Sequence, residues 1–248
     1  MNSFDDDRRF GGLRRLYGAS SFDRVRSARV AVVGLGGVGS WSVEALARSG
    51  VASLTLIDLD HVAESNINRQ VQALTHTLGQ AKVFALQERI VQIHPGCVVH
   101  AVDAFVDETC WPALLPEPVD VVIDACDQVR AKALLCAWGL AQQVPVICVG
   151  AAGGKQQPQA VEVGDLSEVT HDPLLASLRQ RLRQHHGAVR GAHSMGVRCV
   201  FSREAVRSAP GCELPSDGTL NCHGYGSSVM VTSTFGMVAA SEALRVLS

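Results

Sequence analysis

The stretch Gly34-Leu35-Gly36-Gly37-Val38-Gly39 decides the fold that we predict for this chain. It follows directly on the apolar run Arg29 to Val33. Glycines are needed in such a turn because a Cβ atom would block close approach of the backbone to a phosphate, and the N–H groups that open the next helix favour an anion. Asp58 ends the next apolar run, Ser53 to Ile57, where an acidic side chain can hydrogen-bond a ribose. The spacing predicts a strand–helix–strand unit that binds a nucleotide.

The remainder of the chain continues this alternation of strands and helices. Apolar runs and turn signals predict further strands at 98–102, 120–124, 144–149 and 160–163, and helices at 38–49, 79–93, 129–143, 172–185 and 229–247. The pattern predicts an α/β fold with a Rossmann-like, mostly parallel sheet and helices on both faces. We expect one domain over residues 1–248, with an N-terminal helical arm (1–28), a nucleotide-binding core (29–150) and an elaborated C-terminal substrate-binding half (151–248).

The glycine turn does not by itself distinguish ATP from NAD, because Gly34, Gly36 and Gly39 also satisfy the dinucleotide fingerprint. A triphosphate that is about to be cleaved needs extra positive charge where negative charge builds up. Arg69 and Lys82 can supply that charge. Each alone is better explained as a surface residue, but together, behind a glycine turn and an acidic strand end, they favour ATP.

Two carboxylates follow the strand predicted at 120–124. Ligands of parallel sheets bind beyond the carboxyl ends of the strands, and hard oxygen ligands suit Mg²⁺ on phosphate oxygens. We therefore predict that Asp124 holds Mg²⁺. Asp127 is predicted either to contact the cofactor or to cap the next helix at its N-terminus.

Composition and charge restrict the class of protein. A formal net charge of −2 over 248 residues gives no global attraction for nucleic acid, so a polyanion has to meet a local patch. No run is long enough to span a membrane and residues 1–20 are too charged for a signal peptide, so we expect a cytoplasmic protein without a membrane partner. The eight cysteines include no C-x-x-C pair, which argues against a zinc ribbon and favours buried thiols such as Cys136 and Cys148. Cys222 lies in a glycine-rich, polar stretch and is a candidate exposed thiol.

The segment from about residue 179 onwards is locally basic. A solvated helix face would explain Arg179 and Arg183 without any ligand, yet the density of arginines in an otherwise slightly acidic chain also suits contact with RNA phosphates. The candidate tRNA contacts are Arg179, Arg183, Arg190 and Arg198.

These motifs together resemble the adenylating fold of ubiquitin-activating enzymes and their bacterial relatives in thiamine and molybdopterin synthesis. The residues that carry the resemblance are the glycine turn, Asp58, Asp60, Asn66, Asn68, Arg69, Gln70, Lys82 and Asp124. Further segments resemble the tRNA threonylcarbamoyladenosine dehydratase branch of that superfamily: Arg9-Phe10-Gly11-Gly12, 150–154, Asp172-Pro173-Leu174, Cys199-Val200-Phe201-Ser202 and 232–236. The resemblance implies ATP-dependent cyclisation of threonylcarbamoyladenosine beside the anticodon of tRNA, by adenylation of its carboxylate followed by intramolecular ring closure.

The same resemblance implies roles for particular residues. Gly34, Gly36, Gly37 and Gly39 would hold phosphates, Asp58 would hydrogen-bond the ribose and Asp60 would contact the cofactor. Asn66, Asn68, Arg69 and Lys82 would contact the triphosphate, with catalysis assigned to Arg69, Lys82 and Asp124. It also implies a homodimer, in which Arg9 or Arg15 could act as an arginine finger in the partner's site. A monovalent cation near Gly153-Gly154 and a sulfur-relay protein partner are further expectations.

Other functions fit parts of the pattern. An activator of a ubiquitin-like sulfur carrier would adenylate a C-terminal glycine carboxylate and could use Cys222 as an acceptor thiol, but the zinc-binding cysteine pairs of the wider superfamily are absent. An NAD-dependent oxidoreductase shares the turn and Asp58 but has no use for Arg69, Lys82 and Asp124. A scaffold that keeps ATP for folding alone is the remaining alternative.

Overall fold

A single seven-stranded sheet organises the protein. The computed structural model describes residues 5–190, 193–206 and 225–248. The strand order is β3-β2-β1-β4-β5-β7-β6, and neighbouring strands are parallel except β6, which runs antiparallel to β7. The strands are β1 (Arg29–Val33), β2 (Ser53–Ile57), β3 (Val98–Val102), β4 (Val121–Asp124), β5 (Val146–Val149), β6 (Val161–Asp165) and β7 (Arg198–Ser202). The predicted α/β fold with a mostly parallel sheet is confirmed.

Helices cover both faces of this sheet. They are α1 (Asp6–Tyr17), α2 (Ala19–Ser27), α3 (Gly39–Arg48), α4 (Lys82–Ile93), α5 (Val129–Gln142), α6 (Pro173–His185) and α7 (Val229–Leu247). Side chains of β1 alternate between two apolar cores: Val30 and Val32 pack with α3, α4 and α7, whereas Ala31 and Val33 pack with α5 and α6. This two-residue period explains why the central strands are apolar throughout.

The last helix lies directly against the helix that follows the glycine turn. A Cβ atom on Gly236 of α7 would come within 2.5 Å of the carbonyl oxygen of Val38 and 2.8 Å of the Cβ atom of Trp41. Only glycine permits so close an approach of two helices. The result is that the C-terminal helix reaches the region of the glycine turn.

Helix α4 is shorter than the sequence predicts. It begins at Lys82 instead of Gly79, because the three preceding residues pair with the segment after β2. The backbone N–H of Gly79 donates to Val62, His61 and Ala81 form an isolated β-bridge, and the N–H of Lys82 donates to the carbonyl of Asp60. Gly79 also has a φ of +83°, which is incompatible with a helix. The extended segment places Lys82, at the start of α4, beside the end of β2.

The sequence-based prediction missed β7. It began β5 two residues too early, and it began β6 one residue too early and ended it two residues too early. Residues 198–202 lie inside the basic segment, where Arg198 and the flanking charges obscured a buried strand. Strand β7 pairs with β5 on one side and β6 on the other, so the C-terminal half extends the same sheet. In the described part of the chain, no helix combines the length and apolar character needed to cross a bilayer.

Candidate functional site

The glycine turn joins β1 to α3 at the carboxyl edge of the sheet. Gly34 has a φ of +83°, and a Cβ atom there would lie 2.7 Å from the backbone nitrogen of Cys126. A Cβ atom on Gly39 would lie 1.8 Å from the carbonyl oxygen of Gly34. Val38 precedes α3 without any side-chain cap, so the positive end of the helix faces the cleft. The turn is thus shaped for the close approach of an anion.

Asp58 lies at the end of β2 and is held by main-chain donors. Its Oδ2 accepts from the N–H of Leu35 at 2.6 Å, and its Oδ1 accepts from the N–H of Asp60 at 2.8 Å. Burial raises the pKa of Asp58, although Lys82 opposes this effect. The carboxylate therefore lies against the glycine turn, in the position that the sequence predicts for a ribose contact.

Lys82 is buried beside two carboxylates. Its Nζ lies 2.6 Å from Oδ2 of Asp60 and 3.7 Å from Oδ1 of Asp58. The Asp60 side chain is 63% exposed, so it can move into solvent, while Asp58 stays beside the buried ammonium group of Lys82. An incoming phosphate could therefore replace Asp60 as the partner of the ammonium group.

Arg69 and Asn66 line the same cleft, in the loop between β2 and α4. The guanidinium of Arg69 donates through Nη1 to the carbonyl of Ser65 at 2.7 Å and to Oδ1 of Asn68 at 3.0 Å. Asn68 itself does not line the cleft; its Nδ2 donates to the carbonyl of Ser227 at 3.0 Å. Asn68 thus connects this loop to the segment before α7.

Asp124 occupies a different place from the one predicted for a metal ligand. Its side chain is fully buried beneath the cleft and forms an ion pair with the equally buried Lys132, with Nζ and Oδ1 3.2 Å apart. It also accepts from the N–H of Cys126 at 3.3 Å. Because the carboxylate does not reach the cleft and already has a cation, this arrangement argues against the predicted contact with Mg²⁺.

Asp127 is the carboxylate of this loop that reaches the cleft. It is exposed and lines the cavity, whereas Gln128 precedes α5 without a capping hydrogen bond. The prediction that Asp127 caps α5 is therefore wrong, and its side chain is available to a ligand. The strand-end position of Asp124 gave no information on which of the two carboxylates faces solvent.

The buried pair is surrounded by thiols. Cys136 and Cys148 are buried, as expected, and one ligand atom from each lies within 4.8 Å of the other and of Asp124. Lys132 Nζ lies 3.7 Å from Sγ of Cys148 and donates to the carbonyl of Asp124 at 3.2 Å. The ammonium group already provides the positive charge of this cluster, so the cluster is better described as a polar core than as a metal centre.

The cleft encloses about 370 Å³ and draws on both halves of the chain. This volume falls within the usual range for small-molecule sites. Gly150, Ala151, Leu174 and Thr232, which lie in segments that the sequence analysis names, also line the cleft. Its walls further include residues that sequence reasoning did not single out: Phe105, Val106, Val206, Tyr225 and Ser227. Phe105 and Val106 could have been anticipated, because they follow the strand predicted at 98–102, whose carboxyl end lies at this edge of the sheet.

The arginines predicted to contact tRNA differ in their surroundings. Arg179 donates to the carbonyls of Leu166 and Val169, and Arg198 forms an ion pair with Glu242 at 2.8 Å. Arg190 is exposed. A second cavity, of about 420 Å³, is lined by Ala176, Arg179, Gln180, Arg183, Gln184 and Arg190.

The N-terminal arginines lie away from this cleft. Arg9 donates to the carbonyl of Ile93 at the C-terminal end of α4, and Arg15 is exposed. Arg9 therefore lies at one end of α4, a helix of 12 residues and about 18 Å, whereas Lys82 at the other end lines the cleft. Gly153 lines the cleft and Gly154 donates to the carbonyl of Gly226. A monovalent cation beside them stays a prediction. Cys222 lies outside the described residues.

The fold and the cleft define a Rossmann-like nucleotide-binding protein with an acidic strand end and two cationic side chains beside its glycine turn. Residues 11–248 match the ThiF family, and the chain belongs to that family.

Several relatives of known name extend this comparison. The tRNA threonylcarbamoyladenosine dehydratase of Escherichia coli K12 is 42% identical over 252 residues, covering 96% of this chain and 92% of the relative. The enzyme of the same name from Haemophilus influenzae Rd is 40% identical over 97% and 94% of the two chains. A crystal structure of Escherichia coli tRNA N6-threonylcarbamoyladenosine dehydratase, TcdA, in complex with ATP has a TM-score of 0.89 at 42% identity and covers 100% of this chain and 96% of that chain.

Proposed function

We propose that this protein uses ATP to dehydrate threonylcarbamoyladenosine in tRNA, cyclising the modified base beside the anticodon. One structural observation carries the proposal: the glycine turn, Asp58, Arg69 and Lys82 converge on a single cleft. Support for the substrate comes from relatives named for this reaction that are similar over nearly the whole chain, one of them solved with ATP.

Adenylation solves the chemical problem that a carboxylate presents. A free carboxylate repels nucleophiles and has no acceptable leaving group. Attack of the threonyl carboxylate oxygen on the α-phosphorus of ATP forms an acyl adenylate and breaks the bond to pyrophosphate. A neighbouring atom of the same modified base then attacks the acyl carbon and loses its proton, and AMP leaves with the carboxylate oxygen. The effective molarity of such an intramolecular step can reach roughly 10⁵ M or more, so no covalent enzyme intermediate is needed.

The chain's own residues provide binding and charge stabilisation for this reaction. In our proposal the glycine turn and the start of α3 receive phosphate oxygens, and Asp58 hydrogen-bonds the ribose. Lys82 exchanges Asp60 for a phosphate, and Arg69 faces the charge that develops as pyrophosphate departs. The amide of Asn66 lies on the same wall.

Asp127 is the residue that we propose for Mg²⁺. It offers an exposed carboxylate on the cleft wall, which suits a cation that keeps most of its water and binds one or two carboxylates together with phosphates. Bound Mg²⁺ would neutralise phosphate charge. Lys132 and Asp124 lie below and hold the loop that carries Asp127, because Asp124 accepts from the N–H of Cys126.

The outer face of α6 and the segment that follows it are our proposed site for tRNA, with Arg183 and the exposed Arg190 as phosphate contacts. Arg183 donates through Nε to the carbonyl of Val189 at 3.2 Å. Arg179 and Arg198 fit this role less well, because Arg179 donates to two carbonyls and Arg198 is paired with the carboxylate of Glu242. Helix α6 begins at the cleft, where Pro173 and Leu174 line the wall, so RNA bound along it would lie next to ATP.

A homodimer and a cytoplasmic location are also part of the proposal. The exposed side chains of Leu16 and Tyr17 on α1 favour a partner surface there, and Arg9 is remote from its own cleft. The monovalent cation and a sulfur-relay partner stay predictions.

The decisive experiment is a conversion assay on tRNA. Purified protein, Mg-ATP and tRNA that contains threonylcarbamoyladenosine are incubated, and the digested nucleosides are examined by mass spectrometry for loss of water. Lys82→Ala should abolish the conversion and Arg69→Ala should slow it strongly but measurably, whereas Arg29→Met, at the opposite end of β1, should retain it. Pyrophosphate exchange stimulated by a small protein ending in Gly-Gly, with no change in the nucleoside, would instead establish sulfur-carrier adenylation.

A further inference from the structure

The main chain of Arg69 is held by two side chains from different helices. Its carbonyl oxygen accepts from the indole Nε1 of Trp41 on α3 at 2.9 Å. The hydroxyl of Thr232 on α7 lies 3.5 Å from the same oxygen and equally far from the carbonyl oxygen of Val229, so its single proton is shared between two acceptors. The indole hydrogen bond has normal geometry for an N–H donor, so Trp41 provides the stronger of the two contacts.

Arg69 needs such support because it lies in a loop. Its own N–H donates to the carbonyl of Asn66, and residue 69 belongs to no helix or strand. The guanidinium is turned towards Ser65 and Asn68 of the same loop. Beyond these local bonds, the loop is also held by Asn68 on the carbonyl of Ser227 and by the N–H of Val71 on Oγ of Ser40 at 3.4 Å, but the bond from Trp41 acts on residue 69 itself.

The geometry of the two helices makes this clamp rigid. Close packing at Gly236 fixes α7 against α3, and Trp41 is in contact with that point. Gly37 of the glycine turn lies on the other side: a Cβ atom there would come within 3.2 Å of both Cδ of Arg69 and Cγ2 of Thr232. The aliphatic part of Arg69 therefore packs against the turn that is to receive phosphates.

We propose that Trp41 is a positioning residue for the adenylation reaction, which acts through its indole N–H on Arg69. The inference rests on the proposed function in one respect, namely that Arg69 stabilises the triphosphate. Among the residues that the structure describes, loss of the N–H leaves the Arg69 carbonyl only the distant hydroxyl of Thr232, and the loop then samples positions in which the guanidinium misses the phosphates.

The test is a double-mutant cycle between Trp41→Phe and Arg69→Ala. A hydrogen bond between neutral groups contributes enough to change a rate by about 3- to 10-fold. We expect Trp41→Phe to lower kcat by that factor in the otherwise unchanged protein and to have almost no effect in the Arg69→Ala background. Equal factors in both backgrounds would show that Trp41 acts independently of Arg69 and would overturn the proposal.

Two further proteins separate positioning from packing. Trp138→Phe makes the same change on α5, where the ring packs edge-to-face on Trp111, and should leave kcat unchanged. Replacement of Trp41 by the isosteric analogue 3-benzothienylalanine removes only the N–H and should reproduce the kcat loss of Trp41→Phe with little change in Tm. Wild-type kcat in the analogue protein would refute the role of the N–H, even if the phenylalanine variant folds poorly.

The same cycle is measured by the affinity for a non-hydrolysable Mg-ATP analogue. This readout does not depend on which carboxylate is the substrate. If the wild-type protein fails to dehydrate tRNA but the affinity cycle still shows coupling between Trp41 and Arg69, the proposed reaction is wrong and the positioning role stands. If Arg69→Ala changes neither the rate nor the affinity, the positioning role is wrong.

Discussion

Replacement of Lys132 by methionine tests the buried charge pair beneath the cleft. Both Lys132 and Asp124 are 0% exposed, and methionine keeps most of the volume of the lysine stem, so little cavity is created. Loss of the ammonium group leaves Asp124 with the N–H and Sγ of Cys126 and the Sγ of Cys148 as its remaining donors, none of which carries a positive charge. Removal of one partner from a buried ion pair costs about 3–5 kcal/mol, which is the expected loss in free energy of unfolding.

The loss should grow with pH. Burial raises the pKa of Asp124 to about 7 even with Lys132 present. Burial lowers the pKa of Lys132, but Asp124 and the neighbouring thiols raise it by more, so the lysine stays charged. In the unfolded chain the carboxyl group of Asp124 titrates near pH 4. Between that pH and the higher pKa of Asp124 in the folded protein, the folded state binds more protons than the unfolded state, so the free energy of unfolding falls as pH rises.

In the wild-type protein this fall in stability ends near pH 7, the pKa of Asp124 in the folded state. Without Lys132 the pKa of Asp124 in the folded state is higher, so stability continues to fall above pH 7. The difference between the two proteins should therefore be smallest below about pH 6 and increase above pH 7, by at most about 1.4 kcal/mol per pH unit.

Urea unfolding followed by tryptophan fluorescence at pH 6 and pH 8 measures this effect. Arg29→Met is the matched control, because Arg29 and its partner Asp120 form a pair at 2.8 Å in which both side chains are about one-third exposed. Such a pair contributes at most about 1 kcal/mol. The reasoning is refuted if Lys132→Met loses no more stability than the control, or if its loss is the same at both pH values.

Three further predictions concern the ligand sites. The Gly34→Ala variant should have a lower Tm and should not bind ATP in calorimetry. Alanine is strained at φ +83°, and its Cβ would lie within 2.8 Å of the backbone of Ala125 and Cys126. Normal ATP binding and a normal Tm would contradict the close approach of the turn to residues 125 and 126. Asp58→Ala should weaken ATP binding by roughly 10- to 150-fold, as expected for a charged hydrogen bond, and unchanged affinity would remove Asp58 from the ribose site. Arg190→Glu should raise the KM for tRNA several-fold and reduce the dependence of that KM on salt by about one unit of log–log slope without altering ATP affinity. An unchanged KM would exclude Arg190 as a tRNA contact.

The sequence predicted the part of the site that depends on local pattern. A glycine turn after an apolar run, followed by Asp58 at the next strand end, specifies both the strands and the edge where they meet. Lys82 was assigned to the cleft correctly, although its helix begins three residues later than predicted, because Gly79 adopts a left-handed conformation that composition does not reveal.

The parts that failed depend on tertiary packing. Asp124 and Asp127 are three residues apart, and only the placement of Lys132 beneath the sheet edge decides that the first is buried and the second exposed. Similarly, α7 is far from Arg69 in the sequence, so no spacing rule indicates that Thr232 contacts its carbonyl. Strand β7 was missed because Arg198, whose partner Glu242 lies on α7, suggested a solvated segment.

The position of β7 determines how the molecule can be divided. A polypeptide that stopped after Gly150 would lose the partner of β5, leaving main-chain donors and acceptors open along Ile147 to Val149, and would strip α7 from α3. Unpaired parallel edges invite pairing with other chains and aggregation. We therefore expect residues 29–150 not to fold when they are fused alone to another protein. A chimaera of two members of this family should exchange the whole seven-stranded sheet and not a part of it.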